Sequence, residues 1–382
     1  MLNVSVAASA ASCVPPGTWA VPVAGSAKPI AVNELLPKVA RQSAVLLGES
    51  HDNADDHRWQ LQTIAALYAM RPQMVLAFEA FPRRVQPVLD RWVAGEYTES
   101  EFLKAVDWFQ VWNFDPQLYL PMFNFARMNR IPMVAMNVEL TLIRAVGAKG
   151  LASVPAETRE GVSQPAAPTS AYIDDLLEIY GDHQPGASPH KEKKPVDRND
   201  PAFRRFVESQ QMWDRAMAQA MAQAVSRQGS PLVVGILGRG HVEKGYGVAH
   251  QLADLGMKNV AALLPWHAES DCKDLAAGDA DAIFGIAAAK KDAAPARPRL
   301  GVGLDTAAKE LRISSVEKGS IAETAGIKEG DVILEAAGVA LKDFSELRAA
   351  VQRQAPGTWL PLKVRRQNET LELTAKFPPA KP

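Results

Sequence analysis

The chain has 382 residues, 47% of them hydrophobic and 22% charged, with a formal net charge of -1. That length suits two domains rather than one small core. The near-zero charge gives no electrostatic reason to expect nucleic acid as a partner, and no run of roughly 18 apolar residues is present to cross a bilayer as a helix.

The chain begins with small and apolar residues and reaches Ala10-Ala11-Ser12-Cys13 without a basic residue. Small residues before a cysteine are what lipoprotein processing requires. Residues 1–18 are therefore expected to be a lipoprotein-type signal segment, with Cys13 as the lipid anchor on a membrane of the cell envelope. A tail with an incidental cysteine is the alternative. Two cysteines cannot build a disulfide framework, and an acylated Cys13 leaves Cys272 as a single thiol.

From Ile30 to Pro265 short apolar runs alternate with longer amphipathic stretches. The runs are Ala44 to Leu47, Met74 to Phe78, Pro132 to Met136, Leu232 to Leu237 and Val260 to Leu264. Each has strand length, is apolar on both faces and is followed by polar or Gly-containing residues, as in a mostly parallel sheet flanked by helices. Asp55 to Met70 and Phe203 to Arg227 read as two of those helices. The first has acids at its start, and the second is rich in Ala, Gln and Met with no Gly or Pro. Asp182 to Pro195 reads as a loop, because its Pro, Gly and charge content opposes regular structure. These runs place an α/β domain at residues 19–270 and a linker at 271–298, the latter rich in Ala, Asp and Lys.

Beyond Arg299 the texture changes. Leu300-Gly301-Val302-Gly303-Leu304 is followed by the alternating run Leu311 to Val316. Then Gly319-Ser320-Ile321-Ala322 leads through Ala325-Gly326 to Gly330-Asp331-Val332-Ile333, a short helix with a Gly stop and a tight turn into an apolar strand. This pattern over residues 299–378 resembles a bacterial PDZ domain. The resemblance implies a small β-sandwich/α domain. In it Gly301, Val302, Gly303 and Leu304 receive the C-terminal carboxylate of a peptide, for instance from another envelope protein, which adds as a strand. A PDZ scaffold that merely docks is the alternative.

In an open α/β sheet, ligands sit outside the carboxyl ends of the strands. The residues there are Gly48-Glu49-Ser50-His51 after the first run, Glu79 after the second, Asn137 and Glu139 after the third, and Gly238-Arg239-Gly240-His241 after the fourth. Glu49, His51, Glu79 and His241 are thus expected to converge on one crevice. Glu79 follows an apolar run and needs a partner, His51 or an arginine such as Arg83 or Arg84, because burying it unpaired is costly.

These strand-end signatures, with Ile131 to Asn137, Gln210-Gln211-Met212-Trp213-Asp214 and His241 to Val248, resemble the ChaN-like haem-binding lipoproteins over about Trp19 to Pro265. The resemblance implies a lipid-anchored protein of iron uptake, in the outer membrane or facing the periplasm, that binds haem and forms a homodimer around it. Haem needs an axial ligand, apolar walls and cations for its propionates. Tyr246, His241, His51, Tyr119 and His183 are the candidate cofactor-binding residues, with Tyr172 and His190 behind them, and Trp108, Trp112 and Phe114 as walls. The same residues also resemble, more distantly, erythromycin esterases and Tiki-type metalloproteases. On that reading the crevice belongs to a hydrolase. Either His51, Glu79 and His241 hold a divalent metal, or His51 beside Glu79 is a general base. A third reading makes the α/β domain a scaffold for the PDZ-like domain.

Overall fold

Eight strands build the sheet of the first unit: β1 Trp19–Val23, β2 Ser26–Ile30, β3 Ala44–Glu49, β4 Met74–Pro82, β5 Met133–Asn137, β6 Leu232–Gly238, β7 Val260–His267 and β8 Ala282–Ile286. The computed structural model describes residues 13–182, 197–288, 298–305 and 310–379. The chain divides into two units, Met1–Ala288 and Ala289–Pro382.

The strand order is β2-β1-β8-β7-β3-β6-β4-β5. All five apolar runs are strands, and β7, β3, β6, β4 and β5 run parallel to their neighbours. Period-two alternation sends Val45 and Leu47 to one face and Ala44 and Leu46 to the other. The first face is covered by the helices Ala54–Met70, Gln86–Ala94 and Pro116–Met128 through Ile64, Leu67, Trp92 and Phe123. The second is covered by Pro201–Val225 and Val248–Asp254 through Met217, Met221 and Leu252.

Three strands were not foreseen from the sequence. β1 and β2 pair antiparallel; Pro29 lies on the edge strand β2 and Pro22 beyond the two β1 residues, Trp19 and Ala20, that pair with β8. β8 lies inside 271–298, so the expected linker is corrected. Ala282–Ile286 pairs parallel with β7 and antiparallel with β1, and is mostly buried. The Ala, Asp and Lys around it masked a five-residue strand.

The lipid anchor at Cys13 is also corrected. Cys13 and Cys272 form a disulfide, with Cα atoms 5.7 Å apart, and a sulfur so bonded cannot carry a thioether-linked lipid. The two residues are 259 positions apart, which is why no local spacing suggested their pairing. The segment that follows is stitched to β8: Val14 is fully buried, Gly17 donates to the Gly285 carbonyl at 2.8 Å, and Gly285 donates to Thr18 at 2.9 Å. A Cβ on Gly285 would stand 2.2 Å from the Pro15 carbonyl oxygen, so only glycine admits this segment. The rest of the expected signal segment, like His183, His190 and most of the loop Asp182 to Pro195, lies outside the described residues.

The second unit has a two-stranded sheet of β9 Val302–Leu304 and β10 Ile313–Val316. Its four-stranded sheet has the order β12-β11-β13-β14, from β11 Val332–Ala336, β12 Val339–Ala340, β13 Trp359–Arg366 and β14 Glu369–Lys376. The short helix Ile321–Thr324 ends before Gly326 at φ +81°, the left-handed stop expected there. The helix Phe344–Gln352 packs Leu347 and Val351 onto a core with Ile333, Leu360 and Val364. At the tight turn, Asp331 is buried and accepts two hydrogen bonds of 2.8 Å from Arg366.

Candidate functional site

Strand register brings the signatures together. β6 lies between β3 and β4, with Glu49 opposite Gly238 and Phe78 opposite Ile236. Glu79 sits at an irregularity where β4 inserts extra residues against β5, between the pairs Phe78↔Ala135 and Pro82↔Asn137. Such bulges re-aim a side chain near functional sites. Gly238 is the hinge of the constellation. A Cβ there would stand 2.9 Å from His51 Cε1, 3.0 Å from His51 Nε2 and 3.6 Å from a Glu79 carboxylate oxygen. His51 and Glu79 therefore flank one glycine.

Glu49 is a buried carboxylate surrounded by donors. One oxygen accepts from His51 Nδ1 at 2.9 Å and from the Tyr119 hydroxyl at 2.6 Å. The other lies 3.1 Å from His57 Nδ1. Burial alone would raise its pKa, but the His51 and His57 hydrogen bonds outweigh that and bring it down to about 2. His57 Nε2 donates to the His51 carbonyl at 3.1 Å, so the same helix residue steadies both Glu49 and the loop carrying His51. Burial pulls the His51 pKa down, yet Glu49 and Glu79 together raise it. The loop is held from its other side by Asp56, which accepts from the Ser50 N–H at 2.8 Å and pairs with His267 at 2.9 Å.

Glu79 accepts from the Gly238 N–H at 2.6 Å and lies 3.6 Å from His241 Nε2. Its partners are therefore a backbone amide and His241, not the arginines. Arg83 donates to the carbonyls of Glu160 and Ala216, and Arg84 pairs with Glu139 at 2.6 Å. His241 Nδ1 meets Asp214 at 2.7 Å, and the other Asp214 oxygen accepts from the Tyr172 hydroxyl at 2.7 Å. Burial lowers the pKa of His241, but Glu79 and Asp214 overcome it and hold it at about 9. At neutral pH this ring is an imidazolium that answers two carboxylates.

A cavity of about 540 Å³ opens beside these groups. His51, Glu79, Asn137, Trp112, Phe114 and Trp213 line it, with Arg84 and Arg144. The His51 ring meets Trp112 edge-on at 4.7 Å and Phe114 at 5.2 Å. With Nδ1 committed to Glu49, the ring presents Nε2 as its remaining nitrogen.

The expected convergence of Glu49, His51, Glu79 and His241 is thus present, but several assigned roles change. The carboxylate that orients His51 is Glu49, not Glu79. Among the described residues no group of three or more His, Cys, Asp or Glu side chains could hold a metal ion, so His51, Glu79 and His241 do not form a metal triad. Asp214 and Glu79 face the two ring nitrogens of His241, at 2.7 and 3.6 Å. His241 does not line the cavity. Tyr119 is buried and its hydroxyl is spent on Glu49, and burial with that carboxylate pushes its ionisation far up. Tyr246 packs 6.2 Å from Tyr172 in a satellite cluster with Phe203 and does not line the cavity. Trp108 is core, with its indole N–H donated to the Phe114 carbonyl, whereas Trp112 and Phe114 are walls.

Sequence reasoning missed His57 and the structural role of Asp214. Asp214 carries a readable signal. Asp214 lies on the helix stripe Val207, Gln211, Asp214, Ala218, Met221, every member of which is buried, and a carboxylate on such a stripe needs a partner.

In the second unit a groove of about 510 Å³ is lined by Gly301, Val302 and Gly303 and by Phe344, Leu347 and Val351 of the facing helix. Leu304 belongs to β9 and packs on the core rather than lining the groove. Gly301 has φ +79°, and a Cβ there would meet the Ser320 Cβ at 2.3 Å, so the loop requires glycine.

Comparison with known proteins agrees with this division. A family model described as haem-binding uptake, Tiki superfamily, ChaN, matches residues 35–252, and a PDZ domain model matches residues 298–377. Among solved structures, ChaN of Campylobacter jejuni, described as binding haem cofacially, matches with a TM-score of 0.51 at 19% identity, covering 67% of this chain and 92% of that one. That is a likeness of fold. Protein RETICULATA-RELATED 5 of Arabidopsis thaliana, a chloroplastic protein, is 26% identical over 218 residues, which span 54% of this chain and 28% of that one. A probable periplasmic serine endoprotease, DegP-like, of Chlamydia trachomatis serovar D is 39% identical over 61 residues, 16% of this chain and 12% of that one. This chain therefore spans less than a third of either curated relative.

Proposed function

We propose, for a chain that belongs to the ChaN family of haem-binding uptake proteins in the Tiki superfamily, that the cavity beside His51 takes up haem with His51 Nε2 as the iron ligand. The observation that carries this is the fixing of His51 Nδ1 by Glu49 at 2.9 Å, which leaves Nε2 on an oriented ring beside Trp112 and Phe114. The residues present fit the group. A histidine oriented through its other nitrogen by a carboxylate is the usual metal-ligating arrangement, aromatic rings supply flat apolar walls, and guanidinium groups stand at the rim for acidic substituents. A volume of about 540 Å³ falls within the range of roughly 300–1,000 Å³ typical of ligand pockets.

Haem would bring an iron centre with an open coordination position. The protein's own contributions are orientation and proton placement. Glu49 holds the proton on Nδ1, and His57 holds Glu49. The Glu79–His241–Asp214–Tyr172 chain keeps a second carboxylate fixed and neutralised beside the ligand.

The PDZ domain, on this reading, takes a peptide C-terminus in the groove between β9 and the helix Phe344–Gln352. Backbone N–H groups at Gly301 to Gly303 meet the carboxylate and the chain adds as a strand. We place the protein in the oxidising cell envelope, because its two cysteines are joined in a disulfide of the kind that persists there and is rare in the cytosol.

The test is a titration of the full chain with haem. Wild type develops a shifted Soret band at one equivalent, and His51→Ala loses the shift while its circular dichroism spectrum is unchanged. A Soret shift that survives in His51→Ala, or none in wild type, rejects this assignment. Mass measurement of the haem complex tells whether two chains share the cofactor. Fluorescence polarisation with free-acid and amidated C-terminal peptides tests the groove, and equal binding of the two refutes carboxylate recognition.

A further inference from the structure

The cavity beside His51 holds one charge that nothing answers among the described residues. Its lining carries Arg84, Arg144, Glu79, Glu139 and His51 as charged or titratable groups. Arg84 and Glu139 pair at 2.6 Å, Glu79 faces Gly238 N–H and His241, and His51 faces Glu49. Arg144 is the exception: among the described residues it has neither an ion pair nor a hydrogen bond. It stands exposed on the helix Leu140–Lys149, whose Leu140, Thr141 and Ile143 line the same cavity. The helix therefore offers an apolar surface and, one turn along, an unengaged guanidinium.

We propose that Arg144 is the anion-recognition residue of this cavity, and that the cavity selects a porphyrin with free carboxylates over its neutral ester. The inference rests on the haem reading above and adds to it the chemical class of ligand. A guanidinium receives a carboxylate through two parallel N–H···O bonds. Arg84 contributes less, because a ligand carboxylate there must first displace Glu139. Iron plays no part in this contact.

The experiment uses the full chain, iron-free protoporphyrin IX and its dimethyl ester, with binding read by quenching of tryptophan fluorescence, since Trp112 and Trp213 line the cavity. Wild type is expected to bind the acid about fivefold more tightly than the ester, the scale of one solvent-exposed charge pair. Arg144→Ala removes the preference, Arg144→Lys keeps part of it, and Arg84→Ala changes it less. Arg144 has no partner to lose among the described residues, so the thermal midpoint of Arg144→Ala is expected to stay at the wild-type value, and lost binding is then not unfolding. Equal affinity for acid and ester in wild type overturns the proposal, as does an undiminished preference in Arg144→Ala. Acid preference without a haem Soret shift leaves Arg144 standing and removes only the His51 assignment, while a Soret shift without acid preference does the reverse. Failure of both porphyrins to bind overturns both.

Discussion

Replacing Glu49 by glutamine removes one negative charge from beneath His51 and changes little in volume. In the folded chain the pKa of Glu49 is held at about 2, against 4.5 for an unperturbed glutamate. That difference corresponds to stabilisation on the order of 3 kcal/mol at neutral pH. Because the folded pKa is depressed, this contribution is complete above pH 4.5 and is lost as pH falls towards about 2. Glu49→Gln loses it at every pH and also leaves His57 buried beside a neutral amide, so a total cost of about 3–5 kcal/mol is expected. The assay is urea unfolding followed by tryptophan fluorescence, which reports the first unit because all tryptophans except Trp359 lie there. Measured from pH 7 to pH 3, wild type weakens on the acid side, whereas the variant starts lower and is flatter. A cost below about 1 kcal/mol at pH 7 with an unchanged acid limb would refute the argument that His51, His57 and Tyr119 converge on a charged Glu49.

Three further outcomes follow from the same geometry. His241 is raised from 6.5 to about 9, so its contribution is complete below pH 6.5 and disappears as pH rises through 9; Asp214→Asn should flatten that alkaline limb in the same unfolding assay, and an unaltered limb counts against the Asp214 contact. Reduction of the Cys13–Cys272 disulfide, or Cys13→Ala, should cost the first unit about 2–4 kcal/mol, and intact mass should show two hydrogens gained on reduction and no attached lipid; a diacylglyceryl mass on Cys13 would contradict the pairing. Gly238→Ala places a methyl within 3.0 Å of His51 Nε2. It should therefore abolish the haem Soret shift while leaving the PDZ domain's peptide affinity as it was, and a normal haem titration of that variant would show that the ring does not sit where described.

Much of the fold was legible because it rests on local chemistry. Two-faced apolar runs of strand length specify buried parallel strands wherever they occur, and Gly326 and Gly330-Asp331 punctuate the PDZ domain through their own backbone preferences. The strand-end rule also placed Glu49, His51, Glu79 and His241 at one mouth of the sheet, since each lies within four residues of the end of an apolar run. Local patterns could not show pairings across the sheet. β8 is a strand because β7 and β1 flank it, and Cys13 meets Cys272 only after 259 residues have folded between them.

The sequence by itself therefore determined the five buried parallel strands, which domain follows which, and which polar residues stand at the strand ends. Only the tertiary structure decided what each polar group does. Glu49 rather than Glu79 orients His51, Asp214 reaches His241 from a helix 27 positions away, the Tyr119 hydroxyl is held by Glu49, and Tyr246 packs beside Tyr172. The physical reason is that a hydrogen bond between side chains is set by register and packing to within a few tenths of an ångström, a precision that residue type and spacing do not encode.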